Sequence, residues 1–233
     1  MNRNAFLSAT LVAASSGAAI AQNVPGGTHF VERKTDFDSA AFDRLVGRSA
    51  QIRQIYEAVA FKPTLLNNVK NSFNGLQFGF GYSAGSIAIV LAGHGPSSVY
   101  AYTDYLWSKY RLGEFYKLSD SDGAPLTSNV FIAKRSTFDP NADPDNDKGM
   151  YQDTSIEMLQ RRGLIVLTCH TAVEEQARQL VKKGFAASGM TPSDVAADVL
   201  THLVEGAIVV PSMVATIAVL QATYHYTYLT LVA

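Results

Sequence analysis

The amino-acid sequence predicts an open, mostly parallel α/β sheet flanked by helices. Three short apolar runs carry this prediction, at residues 86–92, 164–168 and 207–210. Each run is continuously apolar, which is typical of strands covered on both faces, as in parallel sheets. A helical pattern follows each of them, and a repeated order of strand then helix favours an α/β sheet.

The remaining elements are predicted from apolar spacing and from proline. Pro63 suits a first helical turn, and apolar residues recur at helical spacing after it, from Leu65 to Leu76. A final strand is indicated where tyrosines alternate with aliphatic residues, at 225–232. The other predicted helices, in chain order, are residues 39–46, 51–60, 96–107, 154–162, 171–183, 193–203 and 211–222.

The first 21 residues differ from the rest of the chain. A short basic segment, 1–4, precedes a small apolar stretch, 5–18, and an A-x-A cleavage pattern at 19–21. This pattern is typical of a secretory signal peptide, with a membrane anchor or an unstructured tail as the alternatives. We therefore expect a periplasmic or secreted protein that starts near Gln22 and has no membrane span after signal removal.

We expect the remaining residues, 22–233, to form two parts. Residues 22–60 form an N-terminal extension with short helices, and residues 61–233 form the α/β domain. Within that domain, residues 119–153 carry seven aspartates and three prolines and are predicted to form a long acidic loop, the acidic loop below. Loops of this length often serve function or oligomer contacts. The net charge of -1 gives no strong attraction to nucleic acid or to anionic membranes.

Cys169 is the only cysteine, so it has no partner for an internal disulfide. It comes where the apolar run 164–168 gives way to a helical pattern. A helix N-terminus favours an anionic thiolate, which is the reactive form of cysteine. Free cysteine is also among the most buried residue types, so the sequence leaves open whether Cys169 is reactive or structural.

Three stretches together resemble a known family, the DsrE/DsrF-like sulfur-relay proteins. Their order and spacing carry the resemblance, which covers roughly residues 60–232. The stretches are 67–70 leading into 86–95, the strand and cysteine at 163–170, and the ending at 209–217, 220–221 and 224–228.

The resemblance implies an α/β/α fold, assembly as a homotrimer or homohexamer, and a persulfide-carrying cysteine at Cys169. The leading functional prediction is thus an exported protein that accepts or transfers persulfide sulfur, a possible sulfurtransferase or sulfur carrier. A sulfur donor or acceptor, protein or small molecule, would be its partner. The alternatives are a non-enzymatic ligand-binding or interaction protein and a haem- or metal-binding protein.

Sites in open α/β sheets lie at the carboxyl ends of the strands. By this rule His94, Cys169 and Ser212 are expected at one edge of the sheet. We predict Cys169 and His94 as catalytic residues, and His170 and Ser212 as contacts to a bound ligand.

We predict no resident cofactor and no metal. The histidines and Cys169 show no local ligand spacing. Residues 143–154 partly imitate a calcium loop, but Lys148 and Thr154 replace its required glycine and glutamate, so a solvated loop is the better interpretation.

Overall fold

The structure, a computed structural model, describes residues 30–132 and 135–230. In this part of the chain, five parallel strands form one sheet in the order β4-β3-β2-β1-β5. The predicted parallel α/β sheet is therefore confirmed. The predicted signal peptide, 1–21, lies outside the described residues. No helix in the described ranges has the length and apolarity needed to cross a membrane.

The three predicted apolar runs are strands, and their bounds shift by a residue at most at each end. In chain order the strands are β1 (Ile52–Ala58), β2 (Ile87–Gly93), β3 (Leu164–Cys169), β4 (Ile208–Val210) and β5 (Thr227–Thr230). Every residue of β2 and β3 is buried, as continuous apolarity requires of central strands.

The helical prediction for residues 51–60 was wrong, because this segment contains strand β1. The strand pairs with β2 on one side and with β5 on the other. Polar residues interrupt it, and its apolar residues Ile52, Ile55 and Tyr56 imitate the spacing of a helical face. The range 22–60 thus supplies an internal strand of the sheet as well as a helix.

Apart from residues 112–116, which were not predicted to be helical, the remaining helices follow the prediction closely, with one exception. They are α1 (Ser39–Val46), α2 (Pro63–Asn74), α3 (Asp104–Lys109), α4 (Leu112–Tyr116), α5 (Ile156–Arg162), α6 (His170–Lys182), α7 (Pro192–Thr201) and α8 (Met213–Ala222).

The exception is the single helix predicted at 96–107. It is instead a 3-10 segment, Gly95–Ala101, followed by α3. Between them, Tyr102 forms a β-bridge with Leu203, and the Thr103 N–H donates to the carbonyl of His202. These bonds to the segment after α7 take the chain out of helical geometry.

Two apolar layers cover the sheet. On one face, α2, α3, α5, α6 and α7 pack against alternate strand residues such as Ile89 and Val166. On the other, α1 and α8 pack against the intervening residues, among them Val90 and Leu167. The second layer, the α1/α8 face, includes Cys169.

The acidic loop has little regular structure in its described residues, as predicted. Its aspartates close local turns: Asp139 accepts the N–H of Asn141, and Asp143 accepts the N–H of Asp145. Such turns supply partners for backbone groups that have no ladder to join. The loop is anchored by Arg162, whose guanidinium packs against the ring of Tyr151.

Candidate functional site

Cys169 ends β3 and immediately precedes α6. It is buried, with 5% of its surface exposed. The backbone N–H of Met213, the first residue of α8, donates to its Sγ at 3.4 Å. The sulfur therefore lies at the start of α6 and also accepts one of the N–H groups that the start of α8 leaves without a helical partner. The side chain makes no capping hydrogen bond to the start of α6, so the Met213 N–H is the donor that contacts the sulfur.

His94 immediately follows β2, the strand next to β3. The register pairs Gly93, the last residue of β2, with Thr168 of β3, so His94 leaves the sheet near the end of β3. Ala92 and Leu167, two residues before His94 and Cys169, face the α1/α8 layer. Since strand side chains alternate, His94 and Cys169 leave the sheet on that same face.

His94 forms a dyad with Glu57 of β1. Its Nε2 lies 2.9 Å from Glu57 Oε1, and both side chains are largely buried. A carboxylate can only accept, so Nε2 carries the proton in this contact. Tyr228 and Thr230 of β5 donate to the other oxygen, Oε2. Glu57 thus receives bonds from strands on both sides.

These contacts determine the charge of Glu57. Burial alone raises its pKa, but the hydrogen bonds from Tyr228 and His94 and the charge of His94 outweigh burial, and the pKa is lowered. The hydrogen bond to Glu57 in turn raises the pKa of Tyr228. Glu57 is therefore an ionised carboxylate at neutral pH and orients the His94 ring, an arrangement suited to acid–base chemistry.

The other two predicted residues differ in position. Ser212 immediately precedes α8 and is partly buried, and its neighbour Met213 contacts the sulfur. His170 is the first residue of α6 and is buried; its Nε2 lies 3.9 Å from Glu174 Oε1, one turn along the same helix. The structure thus places His94, Cys169 and Ser212 at one edge, whereas the His170 ring packs along α6.

The described lead-in to α1 contacts helix α6. The Thr171 hydroxyl contacts two carbonyls, that of Pro211 at 3.1 Å and that of Phe30 at 3.3 Å. The guanidinium of Arg178 lies 3.6 Å from the centre of the Phe30 ring. Phe30 therefore lies against α6, near the carbonyl of Pro211 that follows β4.

Sequence reasoning missed Glu57, Tyr228 and Thr230. Glu57 lies in the segment predicted as a helix, so the strand-end rule was not applied to it. Polar and apolar residues do not alternate cleanly along residues 52–58, so the segment carries no clear strand signal. Tyr228 and Thr230 were placed on a strand, but nothing local in the sequence shows which strand it would join.

A metal centre has no geometric basis in residues 30–132 and 135–230. No group of three or more histidine, cysteine, aspartate or glutamate side chains there is arranged to hold an ion. The partial calcium loop is a set of turns in which Asp143 and Asn146 accept nearby backbone N–H groups.

No protein-family model matches the chain, and neither a curated protein nor a solved structure matches it. The resemblance to the DsrE/DsrF-like family therefore stays a prediction. The geometry at the carboxyl ends of β1, β2, β3 and β5 is the basis on which a function can be proposed.

Proposed function

We propose that the chain is an exported DsrE-like protein that accepts sulfane sulfur on Cys169 as a persulfide and passes it to an acceptor. The contact between the Met213 N–H and the Cys169 sulfur carries this proposal. A neutral thiol gains little from such a donor, whereas a thiolate or persulfide anion gains a charge-assisted hydrogen bond.

The reaction is an exchange at sulfur. The Cys169 thiolate attacks the outer sulfur of a sulfane-sulfur donor, a new S–S bond forms, and the donor's S–S bond breaks. The electron pair leaves with the remainder of the donor, so there is no net oxidation. An acceptor thiolate then attacks the outer sulfur of the persulfide and releases Cys169 as thiolate. The proton of the starting thiol passes to His94, whose Nε2 is held by Glu57.

Burial restricts the donor. Only 5% of Cys169 is exposed. A bulky protein disulfide has no access to such a sulfur, so the proposed donor is a small sulfane-sulfur anion such as thiosulfate or a polysulfide.

Intact mass spectrometry of the purified protein after incubation with polysulfide tests the proposal. We expect adducts of about 32 Da, the mass of one sulfur atom, that dithiothreitol removes. Cys169→Ser should show none, and His94→Asn should accumulate them more slowly. The absence of adducts, or their persistence in Cys169→Ser, would refute persulfide chemistry at this residue.

Self-association into a trimer or hexamer is part of the same proposal. Helix α8 is apolar on both sides, and its outward residues Val214 and Val219 are 66% and 44% exposed. A helix that is apolar all round is normally covered, which supports contact between copies. Sedimentation equilibrium tests this: Val214→Glu combined with Val219→Lys should shift the mass toward that of one chain, and a wild-type monomer would refute it.

The burial of Cys169 favours a second candidate, a binding protein without covalent chemistry. In this case the sulfur is structural, and the polar edge at His94 and Tyr228 holds a ligand by hydrogen bonds. Native mass spectrometry of the purified protein distinguishes the two, because a retained small molecule that survives Cys169→Ser but is lost in His94→Asn supports binding alone.

A further inference from the structure

The acidic loop forms an open, solvent-facing cavity of about 560 Å³. Its lining includes two cations, Arg135 and Lys148, the hydroxyls of Ser136 and Thr137, and the amide of Asn146. No described carboxylate lines it, although the loop carries seven aspartates. The polar side chains that line the cavity are thus cations, hydroxyls and an amide.

Three of the loop's carboxylates accept hydrogen bonds from nearby groups of the chain. Asp139 and Asp143 each accept a backbone N–H two residues further along the chain. Asp153 is buried and accepts from the Ser155 N–H at 2.7 Å and from the Ser136 hydroxyl at 2.6 Å. The charges of Asp139 and Asp143 thus close local turns. Asp153 binds the hydroxyl proton of Ser136, so Thr137 supplies the hydroxyl donor that is left for a ligand.

The two lining cations have no counter-ion in the part of the chain that the structure describes. Neither Arg135 nor Lys148 lies within ion-pair distance of a described carboxylate. One nitrogen of the Arg135 guanidinium donates to the carbonyl of Val130, which leaves further N–H donors of its planar fork for a ligand. Both side chains belong to exposed residues, so a ligand from solution can reach them.

Two more cations contact the residues that follow the lining residue Met150 in the chain. The residues that follow Met150, a lining residue, are Tyr151 and Gln152. Tyr151 packs against the buried guanidinium of Arg162, and Gln152 accepts from the ammonium of Lys70 at 2.8 Å. Arg162 and Lys70 likewise form no ion pair with a described carboxylate. Positive charge without a counter-ion, on the lining and near it, favours the approach of an anion.

We propose that this cavity binds a phosphate or sulfate group, carried by a small organic molecule. Guanidinium, ammonium and hydroxyl donors are the groups that recognise tetrahedral oxyanions. The volume is in the range of pockets for small organic ligands and exceeds what one inorganic ion fills. The apolar side chains of Ala142 and Met150 line the same cavity and suit the non-ionic part of such a molecule.

Isothermal titration of the purified protein with inorganic phosphate, sulfate and glycerol 3-phosphate tests the proposal, with glycerol as the uncharged comparison. We expect saturable binding of glycerol 3-phosphate, with weaker binding of the free ions and none of glycerol. Arg135→Gln and Lys148→Gln should each weaken binding about tenfold, the usual effect of removing one charged hydrogen bond. The exposed cations Arg161 and Lys182 serve as matched controls, and Arg161→Gln and Lys182→Gln should leave the affinity unchanged.

Two results would overturn the proposal. One is the absence of saturable binding for all three anions. The other is an affinity that is equal in wild type, Arg135→Gln and Lys148→Gln, because binding would then take place elsewhere. Equal affinity for phosphate and glycerol 3-phosphate would overturn only the claim that a small organic molecule carries the anionic group. None of these results depends on sulfur chemistry at Cys169.

Discussion

The backbone N–H of Met213 points at the sulfur of Cys169 across 3.4 Å and links the start of α8 to the end of β3. The two residues are 44 positions apart in the sequence. They meet because β3 and β4 are paired in parallel, with Cys169 opposite Val210, so the helix after β4 begins beside the sulfur. The pairing of β3 with β4 therefore determines which backbone donor contacts the sulfur of Cys169.

Removal of this donor should slow persulfide formation. Met213 is the first residue of α8, a position that accepts proline, and Met213→Pro removes the N–H while the helix can still form. Met213→Ala is the matched control, since it loses the same buried side chain and keeps the donor. We expect the proline variant to react about tenfold more slowly than the alanine variant, the effect of one hydrogen bond to a charged group. The rate of the mass increase with polysulfide measures this, and equal rates would show that the N–H does not act on the thiolate.

Much of the fold follows from the sequence because the central strands are buried on both faces. Strands β2 and β3 have no polar residue before their carboxyl ends, and in a chain with helices between strands this pattern is typical of the middle of a parallel sheet. The position of Cys169 at a strand end follows from the same pattern. The helix after Pro63 and the helix at 39–46 were also recovered, since apolar spacing and proline both act locally.

The dyad of His94 and Glu57 could not be predicted from the sequence, and the reason is different. Strand β1 carries Arg53 and Gln54 between its apolar residues because it neighbours the edge strand β5. Its pattern therefore fits a helix as well as a strand. The partnership of Glu57 with His94 depends on the pairing of β1 with β2, and that of Glu57 with Tyr228 on the pairing with β5. Such long-range pairings leave no local signal.

Because of Glu57, the stability of the protein should depend on pH in the acidic range. Its pKa is lower in the folded chain than in the unfolded chain, so its contribution is present at pH values above the unfolded pKa and is lost as the pH falls through the folded pKa. Glu57→Gln should therefore lower the midpoint of thermal unfolding at pH 6, and the difference from wild type should shrink toward pH 3. Glu205→Gln, at an exposed position, should show no such trend. A difference that is constant with pH would mean that the charge of Glu57 contributes nothing.

Arg162 should contribute to stability by its volume more than by its charge. The side chain is buried between the rings of Phe73 and Tyr151, and its Nη2 donates to Asn74 at 2.7 Å. Burial lowers its pKa to about 10, which shows that the charge is costly there.

We expect Arg162→Ala to cost about 2–4 kcal/mol, because it opens a cavity. Arg162→Met keeps most of the volume and removes the buried charge, and should cost only about 1 kcal/mol, mainly for the Asn74 oxygen left without its donor. Urea unfolding measures both. Arg161→Met, at the exposed neighbouring position, should change stability by no more than about 0.5 kcal/mol. If the methionine variant is as unstable as the alanine variant, the charge itself is the stabilising feature.

Two glycines should respond to alanine in opposite directions. Gly113 lies in α4, and a Cβ at this position would overlap the backbone oxygen and nitrogen of Leu126. Because backbone cannot move aside as a flexible side chain does, Gly113→Ala should destabilise the protein by about 1–3 kcal/mol. Gly75, at the end of α2, has φ -60° and ψ -44°, and a Cβ there meets no atom within 4 Å. Gly75→Ala should therefore stabilise the protein by about 0.5–1 kcal/mol, since alanine reduces the freedom of the unfolded chain. Urea unfolding of both variants checks the pair, and a stable Gly113→Ala protein would mean that α4 does not pack against Leu126 in solution.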